Sequence, residues 1–196
     1  MVAAAILACT LALAPGSAAD PPVTDPIGSH VRATDPRAQE WIRAGATASG
    51  TFRSLLRRLA ESDLIVYVVI VDRIDAAVGQ MYFVTAKGGV RYVRIEVVAD
   101  RDGGRMVGLV AHELQHAVEV ADAPRVRDSR TLEMLYRGML ENAFSRTQFD
   151  SVAARVTEDR VKSEVAGFRG PVTSPALRTL TGVSRSGKDH PLTGGR

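Results

Sequence analysis

The sequence predicts an α+β domain: a small mixed or antiparallel sheet packed against one helix, Arg105 to Ala121, with further helices following it in the chain. Three observations carry this. Residues 64–71 read Leu-Ile-Val-Tyr-Val-Val-Ile-Val, an unbroken and mostly β-branched run suited to a buried central strand. Residues 90–99 alternate apolar and charged side chains, the period of a strand with one wet face. Between Arg105 and Ala121, apolar residues recur at helical spacing. With 196 residues, 45% hydrophobic and 24% charged, the chain is long enough for one domain with its own core.

At the N-terminus, Val2 to Ala14 is almost wholly apolar, and Ser17 and Ala19 put small residues where a signal peptidase cuts. Residues 1–19 therefore read as an export signal, and the protein as periplasmic or extracellular, although no Lys or Arg precedes the apolar run. That run is too short for a good spanning helix, so membrane attachment is expected only if the segment is retained. Cys9, the single cysteine, falls inside it; the mature chain then has no disulfide and relies on core packing and metal. Residues 20–35 carry Pro21, Pro22, Pro26 and Gly28 and read as an extended linker, with His30 solvated in it.

The domain is expected over residues 36–168. Asp35-Pro36 opens a helix running through Trp41, and after Gly45 a second spans Thr51 to Glu61, with Phe52, Leu55, Leu56 and Leu59 on one side. Arg53, Arg57 and Arg58 take the other side, as a solvated face. Strands follow at Leu64 to Val71, Gly79 to Ala86 and Val90 to Ala99, the last two joined by Lys87-Gly88-Gly89. Its alternation marks the third as an antiparallel or edge strand, with Arg91, Arg94 and Glu96 on the wet face. Asp122-Ala123-Pro124 ends the central helix. Two more helices are expected, from Ser129 to about Phe144 and from about Gln148 to Ala166. After Phe168 periodicity is lost, and residues 169–196 read as a disordered basic tail.

Only the central helix states a chemistry. It contains His112-Glu113-Leu114-Gln115-His116, an HExxH pattern. On a helix the two histidines lie about 40° apart, and Val107, Val110, Ala111, Leu114, Ala117, Val118 and Ala121 gather opposite them. Two imidazoles one turn apart can meet one Zn²⁺ at about 2.0 to 2.1 Å, and Glu113 then stands beside the ion as general base. The run Val110-Ala-His-Glu-Leu-Gln-His-Ala-Val118 resembles the zincin metalloproteases, and Phe149-Asp-Ser-Val-Ala-Ala-Arg155 resembles the third-ligand helix of the gluzincins, with aspartate for the usual glutamate and Ala154 where those enzymes often carry an aspartate. That resemblance implies a zinc peptidase acting on a peptide or protein substrate, with a sheet edge beside the metal helix on which an extended peptide lies. The strand from Val90 to Ala99 is the expected platform.

A catalytic zinc needs a third protein ligand. Asp122 has the metzincin spacing, but Glu119 stands where those enzymes carry a glycine, and a straight helix aims Asp122 away. In gluzincins the third ligand is an acid on a later helix, leaving Glu133, Glu141, Asp150 and Glu158. Helix phase turns Glu141 to water and puts Glu133 near an apolar edge. Asp150 shares a face with Ala154, Thr157, Val161 and Val165, which is costly for an acid without a partner. A capping carboxylate is the alternative explanation of Asp150. The metal set is therefore His112, His116 and Asp150, with the other acids open. Glu119 returns to the histidine edge, either as a group that supports a metal ligand or as a solvated charge, the second being preferred, and Tyr136 reads as a core tyrosine in preference to an oxyanion donor.

A net charge of +3, spread sparsely along the tail, gives no basis for nucleic-acid binding. Two other readings of the motif stand beside the enzyme: a catalytically inactive zincin-like domain that binds metal or protein, and an interaction domain whose HExxH is accidental.

Overall fold

The structure, a computed structural model, describes residues 30–75, 77–100, 102–139 and 150–168. The expected export signal with Cys9, residues 20–29 of the expected linker, Glu141 and the basic tail lie outside these residues. No helix among the described residues is long and apolar enough to cross a membrane.

Nine elements follow in order: β1 (Val31–Ala33), α1 (Pro36–Ala48), α2 (Gly50–Ala60), β2 (Leu64–Val71), β3 (Gly79–Lys87), β4 (Val90–Val98), α3 (Gly103–Ala121), α4 (Ser129–Met139) and α5 (Val152–Gly167). The strands form one mixed sheet in the order β1-β2-β4-β3. β1 and β4 run parallel to β2, and β3 pairs antiparallel with β4. Gly88 and Gly89, at φ 60° and 83°, make the two-residue turn of the β3–β4 hairpin, a conformation that glycine adopts without steric cost. The α+β class and the mixed sheet are thus as expected.

Helices cover one face of the sheet. Leu64, Val66 and Val68 of β2 and Val93, Ile95 and Val97 of β4 are buried in a single core with Ile42, Phe52, Leu59, Leu114 and Val118. The opposite face keeps Tyr82 and Val84 exposed and Tyr67, Val69 and Tyr92 half-buried. Asp35 caps α1 through the Arg37 amide, and Ser49 caps α2 through the Phe52 amide.

Five expectations are corrected. The sheet begins inside the stretch read as linker: Val31–Ala33 pairs with β2, and His30, half-buried, places Nδ1 2.9 Å from the Leu64 carbonyl oxygen. A three-residue edge strand held by backbone pairing leaves almost no trace in composition. The first helix, expected through Trp41, runs on past Gly45 to Ala48; the ring of Phe52 occupies the space a side chain at Gly45 would need.

Of the two alternatives for the third strand, antiparallel or edge, β4 is antiparallel to β3 and is not an edge. It lies between β2 and β3, and its alternation reflects a sheet covered on one face only. Arg91, expected on the wet side, is instead fully buried on the core face. It pairs with Asp63 and donates to the carbonyl oxygens of Val120, Ala121, Ala123 and Val126, where the C-terminal end of α3 needs donors. Arg91 holds the Asp63 carboxyl below the ordinary carboxylate range.

Last, the histidine edge of α3 is not wet: Glu113 and His116 are each only 4% exposed. Burying both sides of α3 takes more than its apolar stripe, because α5 and β3 cover the motif side.

Candidate metal centre

The site forms where α3 meets the start of α5. Asp102 caps α3 through the Gly104 and Arg105 amides, so the helix begins two residues before the first position expected of it. Its end is fixed by Arg91. Between these anchors the motif side chains project toward α5 and β3.

His112, His116 and Asp150 come together, each offering one ligand atom within 4.8 Å of the others, so the group could hold a metal ion. A tetrahedral ion with bonds of about 2.0 to 2.2 Å spaces its donors roughly 3.4 Å apart. His112 Nε2 and Asp150 Oδ1 are already 3.5 Å apart. Asp150 does not sit on the last helix as expected. It stands one residue before the N-cap, which is Ser151, so capping does not account for its carboxylate.

The Oδ1 atom of Asp150 is buried and makes no hydrogen bond among the described residues. A buried carboxylate oxygen without a donor is costly unless a cation faces it. The two imidazoles meet edge-on, at an interplanar angle of 74°, and each turns its Nδ1 to a carboxylate. His112 Nδ1 is 3.0 Å from Glu158 Oε2, and His116 Nδ1 is 2.9 Å from Glu119 Oε2. With each Nδ1–H donated to a carboxylate, each Nε2 keeps its lone pair for a metal. Burial lowers the His112 pKa and His116 lowers it further, against the pull of Asp150 and Glu158, which favours the neutral, ligating form. The donor set therefore fits a divalent cation.

The acids of the site are supported in turn. Lys162 pairs with Glu158, and its aliphatic stem fills the notch left by Gly108 of α3. Burial alone would raise the Glu158 pKa, but Lys162 and His112 bring it below the ordinary value. Glu119 also accepts a hydrogen bond from Ser151 Oγ, and its side chain is only 10% exposed, so the solvated reading of Glu119 is corrected.

Glu113 does not join the ligand group. Burial pushes its pKa up to about 7; His116 opposes the rise, while Asp150 and Glu158 add to it. A cleft of about 1340 Å³ lies beside it, with Gly79 and Met81 of β3, Leu109 of α3 and Leu132 and Tyr136 of α4 among its walls. Tyr136 is buried as expected, yet its ring also meets His116 edge-on at a centroid distance of 5.4 Å.

The other acids stand elsewhere. Asp122 is on the surface with Arg58, and Glu133, at the cleft wall, pairs with Arg137. Glu158, weighed as a ligand from sequence, is not in the His112, His116 and Asp150 group and instead meets His112 Nδ1. Its contact with His112 spans 46 residues, which no local pattern announces. Gly79 was missed for a related reason: its closeness to Glu113 depends on how the edge strand lies over α3. Against this geometry, no protein-family model matches the chain, and neither a curated protein nor a solved structure matches it.

Proposed function

We propose that the chain is a zinc-dependent peptidase that hydrolyses peptide bonds, with His112, His116 and Asp150 holding the ion and Glu113 acting as general base. The observation that carries the reading is the buried Asp150 Oδ1, without a hydrogen bond, facing His112 Nε2. Two histidines and a carboxylate are a donor set that suits zinc and leaves a fourth position open.

When bound, zinc supplies Lewis acidity, lowering the pKa of water to about 7 and polarising a carbonyl oxygen. Burial brings the Glu113 pKa to about 7 in the metal-free site, and a cation beside it would favour the carboxylate, the form that takes a proton from water and returns it to the leaving amine. Glu119 and Glu158 keep the imidazoles oriented. β3 is one of the two edges of the sheet among the described residues, and it borders the cleft, so it offers an extended peptide a strand to pair with. This replaces the strand from Val90 to Ala99 as the expected platform.

The test is elemental analysis of the purified full chain, beside His116→Ala and Glu113→Gln, together with cleavage of a quenched fluorescent peptide library. We expect about one zinc per chain, lost in His116→Ala, and zinc without cleavage in Glu113→Gln. Zinc with no cleavage by the wild-type chain selects the non-catalytic metal-binding domain. Absence of zinc after reconstitution selects the interaction domain.

A further inference from the structure

Glu119 has two clients. One oxygen lies 2.9 Å from His116 Nδ1 and the other accepts the hydroxyl hydrogen of Ser151. Ser151 is also the N-cap of α5, accepting from the Ala154 amide, and it directly follows Asp150 in the chain. A single carboxylate thus fixes the ring of one ligand and the backbone next to another, although the two come from different elements.

We propose, resting on the metal-site reading above, that Glu119 is a positioning residue that brings Asp150 into register with His116, so that the two ligands form one unit. His112 has a separate support in Glu158. The assignment makes Ser151 part of metal binding through its donated hydrogen and not only through its cap. Asn at 151 can cap the helix and donate an amide hydrogen to Glu119; Asp can cap equally well but has only oxygens to offer.

The experiment measures Zn²⁺ affinity of the full chain by competition with a chromophoric chelator, and records the visible absorption of the Co²⁺-loaded protein. Glu119→Ala and Ser151→Asp should each weaken Zn²⁺ binding about 10- to 100-fold, whereas Ser151→Asn should stay within about threefold of wild type. The Co²⁺ spectrum of Ser151→Asp should move toward that of Asp150→Ala, a change that loss of a structural contact alone would not produce. In the Glu119→Ala background, Ser151→Asp should cost little more, because the carboxylate it opposes is gone.

Equal affinities for Ser151→Asp and Ser151→Asn, or additive losses in the double variant, overturn the positioning role and leave the metal site standing. Failure of the wild-type chain to take up either Zn²⁺ or Co²⁺ overturns the metal site itself, and this role with it. Circular dichroism on each variant checks folding. Should Glu119→Ala unfold, the two Ser151 substitutions still decide the matter, since both preserve the cap.

Discussion

Gly79 of β3 lies against Glu113 of α3 so closely that a methyl group on it would collide with Glu113 Oε1 and come within 3.1 Å of Leu109 Cδ1. The edge strand therefore helps enclose the carboxylate whose burial sets its pKa near 7. Gly79→Ala should displace Glu113 and cost about 1 to 3 kcal/mol of stability through overpacking. Because Glu113 is not among the ligand residues, zinc content should be unchanged while kcat/KM on a peptide substrate falls at least roughly tenfold. Elemental analysis and steady-state kinetics on the same preparation check both halves.

Arg91 should be among the costliest residues to replace. Its guanidinium is fully buried, and Asp63 and four carbonyl oxygens, two in the last turn of α3 and two in the segment after it, depend on it. Arg91→Met leaves those acceptors unsatisfied and should lower stability by about 3 to 5 kcal/mol. Arg91→Lys keeps the charge but not the forked donors, so its loss should be intermediate. Urea unfolding midpoints for the two variants and for Asp63→Asn would rank the contributions.

Much of this architecture is legible in sequence, and what escapes has a common cause. β2, the hairpin at Gly88-Gly89 and the termination of α3 before Pro124 are dictated by local chemistry, and the structure has them. Arg91 escapes because alternation assigns any charge in such a strand to the wet face, and only the docking of α3 supplies the carbonyls that make its burial favourable. Three of the contacts that shape the site, His112 with Glu158, Glu119 with Ser151 and Gly79 with Glu113, join residues at least 32 positions apart. Helix phase could propose Asp150 but could not foresee that it precedes the helix.

Glu164 makes acid stability testable. Burial would raise its pKa, but hydrogen bonds from Ser49, the Thr51 hydroxyl and the Thr51 amide outweigh that and bring it below the ordinary value of 4.5. A carboxyl depressed on folding stabilises the folded state fully above its unfolded pKa, and the contribution is lost as pH falls through the folded value. Glu164→Gln should therefore lower stability by about 1 kcal/mol near neutral pH, a modest figure because the group is only partly buried. The difference from wild type should shrink as pH falls below about 4.5, where the wild-type carboxyl is protonated as well. Thermal melts of both proteins across pH 3 to 7 would reveal a constant offset instead if hydrogen bonding to the ionised form were irrelevant.

Metal removal should loosen the joint between α3 and α5. Two of the three proposed ligands come from α3 and the third immediately precedes the N-cap of α5, so an ion held by all three would bridge these helices. A ligand that binds only the folded state stabilises by RT ln(1 + [L]/Kd), about 4 kcal/mol at a thousandfold excess over Kd. Dialysis against a chelator should lower the melting temperature and increase hydrogen exchange at the start of α5, with β2 and β4 little affected. Added Zn²⁺ should restore both. In His116→Ala the chelator should change neither quantity, since that variant has lost a ligand from the same group. Equal sensitivity to the chelator in wild type and His116→Ala would place the responding ion elsewhere in the chain and count against the bridge.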